Sequence, residues 1–544
     1  MFGSRALTHH AFTSKPGSER MQKLLAAAVI VVIFVVFVAT IFGDNIKALH
    51  GMSADSLAGD SAVQPRSYAR LEKKKLQNFA QENSAYGPAP VVVNPTVIAA
   101  QDALSTFAID VDTASYTWTR RLVLEQGQLP SRDGVRVEEF VNAFDYALPG
   151  PERAPFAIHV QGATSPFDET KTLVKVSLQG RRVEAAERMP AHLVFLVDVS
   201  GSMSGADRLP LAKRALEVLT RELKPTDTVS LVTYAGRAEV ILKPTSAREQ
   251  DRILEAIAKL QAGGGTNMGN GMELAYDLAV GQVSPNTTNR VIVLTDGDAN
   301  LGHNQTPDQM LAAVKGHVEE GVTLTTVGFG LGNYQYAALE KLADNGNGQA
   351  LYVDGERAID RVFRKNLTGT LEVIGKDVKV QVEFDPAVVK TYRLVGYENR
   401  AIADQDFRND KVDAGELGAG HQVTALYEVS LANVNAPLGV VRVRGEDPRT
   451  KEVFELSEGI SRQAVSRQLR ETSADMRFAT AAALGADVLR GNEVSGWNLT
   501  SIADLAQDAS EAKADRLEFV RVLRTAATLD GSRRVAAWNA NDGY

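Results

Sequence analysis

The chain has 544 residues, 44% hydrophobic and 23% charged, with a formal net charge of −8, enough for roughly three or four domains with sizeable cores. Cysteine is absent, which excludes disulfides, thiolate nucleophiles and thiolate metal sites. A mildly acidic balance without a long basic patch gives no footing for nucleic acid, whose phosphates need clustered Lys and Arg.

Between Lys23 and Asp44 run 20 residues without a charge, LLAAAVIVVIFVVFVATIFG. As a helix they span about 30 Å, the thickness of a hydrocarbon core. Arg5, Lys15, Arg20 and Lys23 precede them, so the positive-inside rule puts that end in the cytoplasm. The expectation is a single-pass anchor in a bacterial inner membrane: residues 1–23 a cytoplasmic tail, 24–43 a transmembrane helix, and the bulk of the chain periplasmic or extracellular. A cleaved signal peptide is the alternative, but the run is long for one and lacks a clean small-x-small site. Residues 44–100 read as a linker, with a short charged helix in RLEKKKLQNFAQEN and an extended GPAPVVVNP.

Residues 101–189 form an α+β flank. STFAIDVD reads as a strand, followed by a helix entered at an Asp/Thr/Ser cluster. FAIHVQGATSPF and KTLVKVSLQGRRV alternate like two antiparallel strands. From 190 to 368, apolar strands (HLVFLVDV, TVSLVTYA, RVIVLTDG, VTLTTVGFG, QALYVD) alternate with amphipathic helices. That order predicts a doubly wound, mostly parallel α/β sheet covered on both faces. AEVILKP is a candidate antiparallel edge, and ERAIDRVFRKNLTG reads as one closing helix. Residues 369–457 return to alternating strands joined by Gly-rich turns, an antiparallel β domain. The strands before 190 have the same character, so the two sets are expected to share one sheet system with the α/β segment inserted between them. Residues 458–544 read as a C-terminal helical region.

The chemistry concentrates at strand ends of the α/β segment. HLVFLVDV ends in Asp198-Val199-Ser200-Gly201-Ser202, with three short polar side chains at alternate positions, where open α/β sheets place their ligands. Thr266 follows three glycines in GGGTNMGNG, and Asp296 ends RVIVLTDG. Two carboxylates and three hydroxyls are hard oxygen donors that suit Mg²⁺, Ca²⁺ or Mn²⁺. The two acids offset a divalent charge, and an octahedral ion keeps a position for an incoming Asp or Glu from another protein.

Asp198-x-Ser200-x-Ser202, Thr266 and Asp296 together resemble the metal-ion-dependent adhesion site of von Willebrand factor type A domains, with all five positions present. The resemblance implies that Ser200, Ser202 and Thr266 coordinate the ion, preferentially Mg²⁺, and that Asp198 and Asp296 act directly or through water. The flanks FAIDVDTASYTWTRR and VKTYRLVGYENR resemble segments that bracket this domain in bacterial membrane-associated proteins of the YfbK type, over most of 104–544.

Other residues take plainer readings. Asp110 and Asp112 fit a turn and helix cap better than acid–base catalysis, and the acidic run DQDFRNDKVDAGE fits a solvated loop, since it lacks EF-hand spacing. His192 is structural or exposed, Asp298 and Asn300 belong to the site rim, and nothing joins Ser165, His159 and Asp168 into a triad. The expected function is a membrane-anchored, metal-dependent protein–protein interaction module for adhesion or envelope assembly, not an enzyme. The alternatives are a metal-dependent hydrolase, disfavoured because no general base adjoins the site, and a structural envelope protein with an idle metal site.

Overall fold

The computed structural model describes residues 93–541, apart from 167, 185, 285–286, 298–305, 331–335, 366 and 493–495. The chain enters through β1 (Val97–Ile98), β2 (Leu104–Ala108), α1 (Ala114–Glu125) and α2 (Val137–Asn142), then the hairpin of β3 (Phe156–Thr164) and β4 (Thr172–Gly180).

A strand–helix alternation follows: β5 (Ala191–Asp198), α3 (Leu209–Glu222), β6 (Thr228–Tyr234), β7 (Ala238–Ser246), α4 (Gln250–Ala258), α5 (Met268–Val280), β8 (Thr288–Thr295), α6 (Pro307–Glu319), β9 (Val322–Gly328), α7 (Tyr336–Asn345), β10 (Ala350–Tyr352), α8 (Glu356–Asp360) and α9 (Leu367–Leu371). These strands form one sheet in the order β10-β9-β8-β5-β6-β7. All are parallel except β7, which pairs antiparallel with β6 at the edge, as its sequence suggested.

Every residue of β5 is buried, because helices cover both faces. Leu193, Phe195 and Val197 pack with α3, α4 and α8, while Val194 and Leu196 pack with α5, α6 and α7. Each of these side chains contributes roughly 1.5–3 kcal/mol by burial. The chain leaves β5 toward β6 on one side and returns as β8 on the other, so the carboxyl end of β5 opens at the switch point of the sheet. The expected single helix over ERAIDRVFRKNLTG is instead broken into α8, a π-helical stretch Arg361–Lys365, and α9.

The remaining strands are β11 (Val373–Phe384), β12 (Val389–Val395), β13 (Gly415–Gly418), β14 (Gln422–Leu431), β15 (Gly439–Glu446), β16 (Val453–Ile460) and β17 (Val465–Ser466). One sheet runs β1-β12-β14-β4-β3-β17; the other runs β13-β11-β15-β16, with β2 added on β11. Strands from before and after the α/β segment therefore interleave: β14 pairs with β4 over Gln422–Val429, and β11 with β2. The two sheets share one core, in which Val174 and Val176 meet Val380 and Val382, and Phe384 stacks near Tyr392 and Tyr427.

The chain closes with α10 (Ala474–Leu489), α11 (Leu499–Asp508) and α12 (Ala514–Asn541). These pack on α1 and α2 around an aromatic cluster of Tyr116, Phe140, Phe144, Phe478 and Phe519. The outer face of the β12–β14 sheet, at Val395 and Leu426, lies against the same cluster.

The expected fold class needs one correction. The transmembrane helix over 24–43 lies outside the described residues, and among the described residues no helix is long and apolar enough to cross a membrane. The longest, α12, is interrupted by Asp515, Arg516, Glu518, Arg521 and Arg524, charges that a hydrocarbon core does not accept. The class that stands is an α/β core with mixed parallel and antiparallel sheets and C-terminal helices. The single-pass topology, the membrane as a partner and the inner-membrane location all rested on that segment, and no described helix supports them.

Candidate functional site

The loop after β5 is held by its own short side chains. The Ser200 N–H donates to Asp198 Oδ1 at 2.8 Å, an Asx turn that directs the chain away from the strand. The Ser200 and Ser202 hydroxyls lie 2.9 Å apart, and Ser202 Oγ donates to Asp296 Oδ1 at 3.2 Å. Thr295 Oγ1 donates to Asp198 Oδ2 at 2.9 Å, tying the ends of β5 and β8 together.

The glycine loop is laced to this turn by the backbone. Gly201 N–H donates to Gly264 O at 2.9 Å, and Gly263 N–H to Val199 O at 2.8 Å. Gly264 has φ +87°, and a Cβ on Gly201 would stand 3.3 Å from Gly264 O, so glycine permits both the turn and the close approach. Thr266, buried, lies two residues beyond, ahead of Asn267, which caps α5. The structure thus links Asp198, Ser200, Ser202 and Asp296 in one hydrogen-bonded chain, with Thr266 on the loop laced to it. Asp298 and Asn300 lie outside the described residues.

The sequence reading missed Arg208. Its Nη1 donates to Asp296 Oδ2 at 3.1 Å and to the carbonyl of Ser202. Arg208 is the N-cap residue of α3, where the helix dipole disfavours a cation. An arginine in that position is the signal that an acid holds it from outside the helix.

Burial raises the Asp198 carboxyl to about 6, partly opposed by hydrogen bonds from Ser200 and Thr295. The donor set fits a hard divalent ion: all oxygen, two buried carboxylates and neutral hydroxyls. The arrangement also draws positive charge, since a guanidinium already leans on Asp296.

A second acidic group lies elsewhere. Carboxylate oxygens of Asp110, Asp112 and Glu340, all buried, stand within 4.8 Å of one another, a grouping that suits a divalent cation of unspecified kind. Arg400 reaches into it: Nε to Asp110 Oδ2 at 3.2 Å, Nη2 to Glu340 Oε1 at 3.4 Å and to Asp112 Oδ2 at 3.5 Å, and Nη1 to Asp344 at 2.7 Å. Burial pushes Glu340 up to about 7 and holds Asp112 well above the usual carboxylate range.

The expected helix-cap role of Asp110 and Asp112 is therefore corrected. Asp110 does form the turn, accepting from Asp112 N–H at 2.9 Å, but α1 has Thr113 at its cap without a side-chain bond. Asp112 Oδ1 instead accepts from Ala350 N–H at 3.0 Å, across to the start of β10.

The acidic run 404–416 is not simply solvated either. Asp404 accepts from Thr106 Oγ1 at 2.7 Å, and Lys379 Nζ donates to Asn409 O at 2.6 Å. His192 is buried, bonded through Nδ1 to Thr228 Oγ1 at 2.6 Å, and lowered to about 4 by burial. His159 bonds to Pro149 O and Asp168 to Thr170, so no triad forms with Ser165.

Residues 192–365 match the family model of the von Willebrand factor type A domain, and residues 369–438 and 432–529 match that of "Uncharacterized protein YfbK, C-terminal". The "Uncharacterized protein YfbK" of Escherichia coli strain K12 is 36% identical over 513 residues, covering 88% of each chain. Human inter-alpha-trypsin inhibitor heavy chain H4 is 32% identical over 186 residues, 32% of this chain and 20% of that one. Among solved structures, "von Willebrand factor type A from Catenulispora acidiphila" is 18% identical, with TM-score 0.43 over 70% of this chain and 91% of that one. The identity and coverage of the Escherichia coli match show that the chain belongs to the YfbK family, built around a von Willebrand factor type A domain.

Proposed function

We propose that this protein is a divalent-metal-dependent protein–protein interaction module. Residues 190–368 form the binding unit, and Asp198, Ser200, Ser202, Thr266 and Asp296 hold Mg²⁺, with Ca²⁺ or Mn²⁺ as substitutes. The bound ion supplies a Lewis-acidic position for an Asp or Glu carboxylate of another protein. The chain's own residues do the rest. Asp198 and Asp296 offset the ion's charge from buried positions, and the neutral hydroxyls leave it electron-poor. The glycine loop keeps the approach open by holding no side chain over it.

The observation that carries the reading is the hydrogen-bonded run from Ser200 through Ser202 to Asp296, which brings oxygen donors from two separate strand ends to one place. Calorimetric titration of Mg²⁺ into the full chain is the test. Native protein should bind the ion, and Thr266→Ala and Ser202→Ala should each weaken it at least tenfold with the unfolding midpoint in EDTA unchanged. Unaltered Mg²⁺ affinity in both variants would falsify the site.

A further inference from the structure

The bulge in β11 and the end of the acidic run meet in a second cation site. Asp377 has φ +53° and lies at a register shift between Gly375 and Val378, where β11 pairs with β13. Its Oδ1 accepts from Ala414 N–H at 3.2 Å, fixing it beside Asp413. Carboxylate oxygens of Asp377, Asp413 and Glu416 lie within 4.8 Å of one another, a span that fits one coordination shell with metal–oxygen distances of about 2.3–2.6 Å.

Glu416 supplies the independent observation. It is 8% exposed, and its Oε1 is shut off from solvent without a hydrogen-bond partner. An unpaired buried carboxylate oxygen is costly and is expected to have an ion or a proton to satisfy it.

The site has an entrance. Asp413 is exposed, Asp377 half-buried and Glu416 buried, and Asp413 and Glu416 line a cleft of ≈ 180 Å³. Arg400 lines the same cleft with Asp110, Asp112 and Asp344, and is already shared among those three acids. Two cations act on the Asp377 side. Lys376 Nζ is 3.8 Å from Asp377 Oδ2, and the buried Arg290 feels Glu416 at longer range; neither forms an ion pair with Glu416.

We infer that Asp377, Asp413 and Glu416 bind a hard divalent cation, of which Ca²⁺ is the best match, at the junction of β11 and β13. Three carboxylates with no nitrogen or sulfur donor select for oxygen-loving ions. The irregular, graded geometry suits Ca²⁺, which accepts six to eight oxygens in flexible arrangements, better than Mg²⁺. The ion would fasten the acidic run to the strand bulge.

The test is Ca²⁺ calorimetry and thermal unfolding on the full chain carrying Asp296→Ala, which takes the site at Asp198 out of the reading. That protein should bind one Ca²⁺ and gain unfolding temperature with it. Adding Glu416→Gln should weaken Ca²⁺ at least tenfold and abolish the gain, without lowering the unfolding temperature in EDTA. Asp413→Asn, at an exposed position where folding is not at stake, should weaken it likewise. Absence of Ca²⁺ binding in the Asp296→Ala chain, or Ca²⁺ affinity unchanged from that chain in both added variants, overturns the inference. Neither readout depends on whether Mg²⁺ binds at Asp198.

Discussion

At the carboxyl end of β5, two buried acids are met by hydroxyls and by one guanidinium that touches Asp296 from the side. Around Arg400, four acids share one guanidinium that sits among them. The second region has twice the carboxylates and looks the better metal site by count, yet its charge is already answered by a residue of the chain. The first has fewer acids, but its hydroxyls are neutral and Arg208 engages only one of its two carboxylates in an ion pair. What separates a structural ion-pair cluster from an ion-binding site is whether a fixed side-chain cation occupies the centre. The number of acids does not decide it.

The largest effect expected of this contrast is at Arg400. Arg400→Met removes the guanidinium that Asp110, Asp112, Glu340 and Asp344 share, leaving buried charge behind. Breaking a buried pair from one side costs about 3–5 kcal/mol, to be read as a fall in the urea midpoint at pH 7. Ca²⁺ should then stabilise Arg400→Met by more than it stabilises the native chain. An unchanged midpoint would mean that these acids are held by something other than Arg400, and the contrast would dissolve.

The second effect is a pH dependence at Glu340. Its pKa is raised to about 7, by burial first, despite the opposing fields of Arg136 and Arg400. A carboxyl raised on folding contributes stability that is fully present below its unfolded value of 4.5 and is lost as pH rises through 7. The native chain should therefore lose on the order of 2–3 kcal/mol relative to Glu340→Gln between about pH 4.5 and pH 8. The glutamine keeps an acceptor for Asn399 and Arg400. Comparing the two chains cancels His192 and His421, which burial lowers to about 4 and which act in the opposite sense between about pH 4 and 6.5. Parallel stability profiles would show Glu340 to be ionised throughout, making the cluster a fully charged one.

These two regions were unequally legible in the sequence. The Asp198 loop follows a strand whose apolar run is unmistakable, and its ligands recur at short spacing on the ends of neighbouring strands, so pattern and topology agree. Asp110 and Arg400 are 290 residues apart. Nothing local in AIDVDT or YENR announces the pairing, which arises where β2 pairs with β11 and Phe107 bridges Ala401, bringing the two flanks together. The shared sheet system was visible as matching alternation on either side of the α/β segment, but the side-chain chemistry at its seams was not. The acidic run failed as a motif for the same reason: Asp413 and Glu416 find Asp377 through a bulge in β11, and a bulge leaves no periodic trace. The broken helix at Arg361–Lys365 was hidden because its apolar spacing reads as continuous.

The smallest effect is the most informative about the Asp198 site, because it asks whether Arg208 competes with the ion or prepares for it. Its guanidinium bonds to Asp296 Oδ2 and to Ser202 O, and its side chain is one-fifth exposed, so the pair is partly screened. Such a pair is worth up to roughly 1 kcal/mol. An ion drawing on Asp296 must take that carboxylate from Arg208. Arg208→Met should therefore tighten Mg²⁺ by roughly three- to fivefold in calorimetry, the factor that about 1 kcal/mol converts to. Gly330 gives an orthogonal handle. A Cβ there would stand 2.7 Å from Arg208 Nε, so the glycine keeps room for the arginine stem. Gly330→Ala should displace the guanidinium and move Mg²⁺ affinity in the same direction, with an added stability cost from its φ of +75°. If both substitutions weaken Mg²⁺ instead, Arg208 orients Asp296 for the ion. The two acidic regions would then be alike in depending on an arginine and would differ only in where it stands.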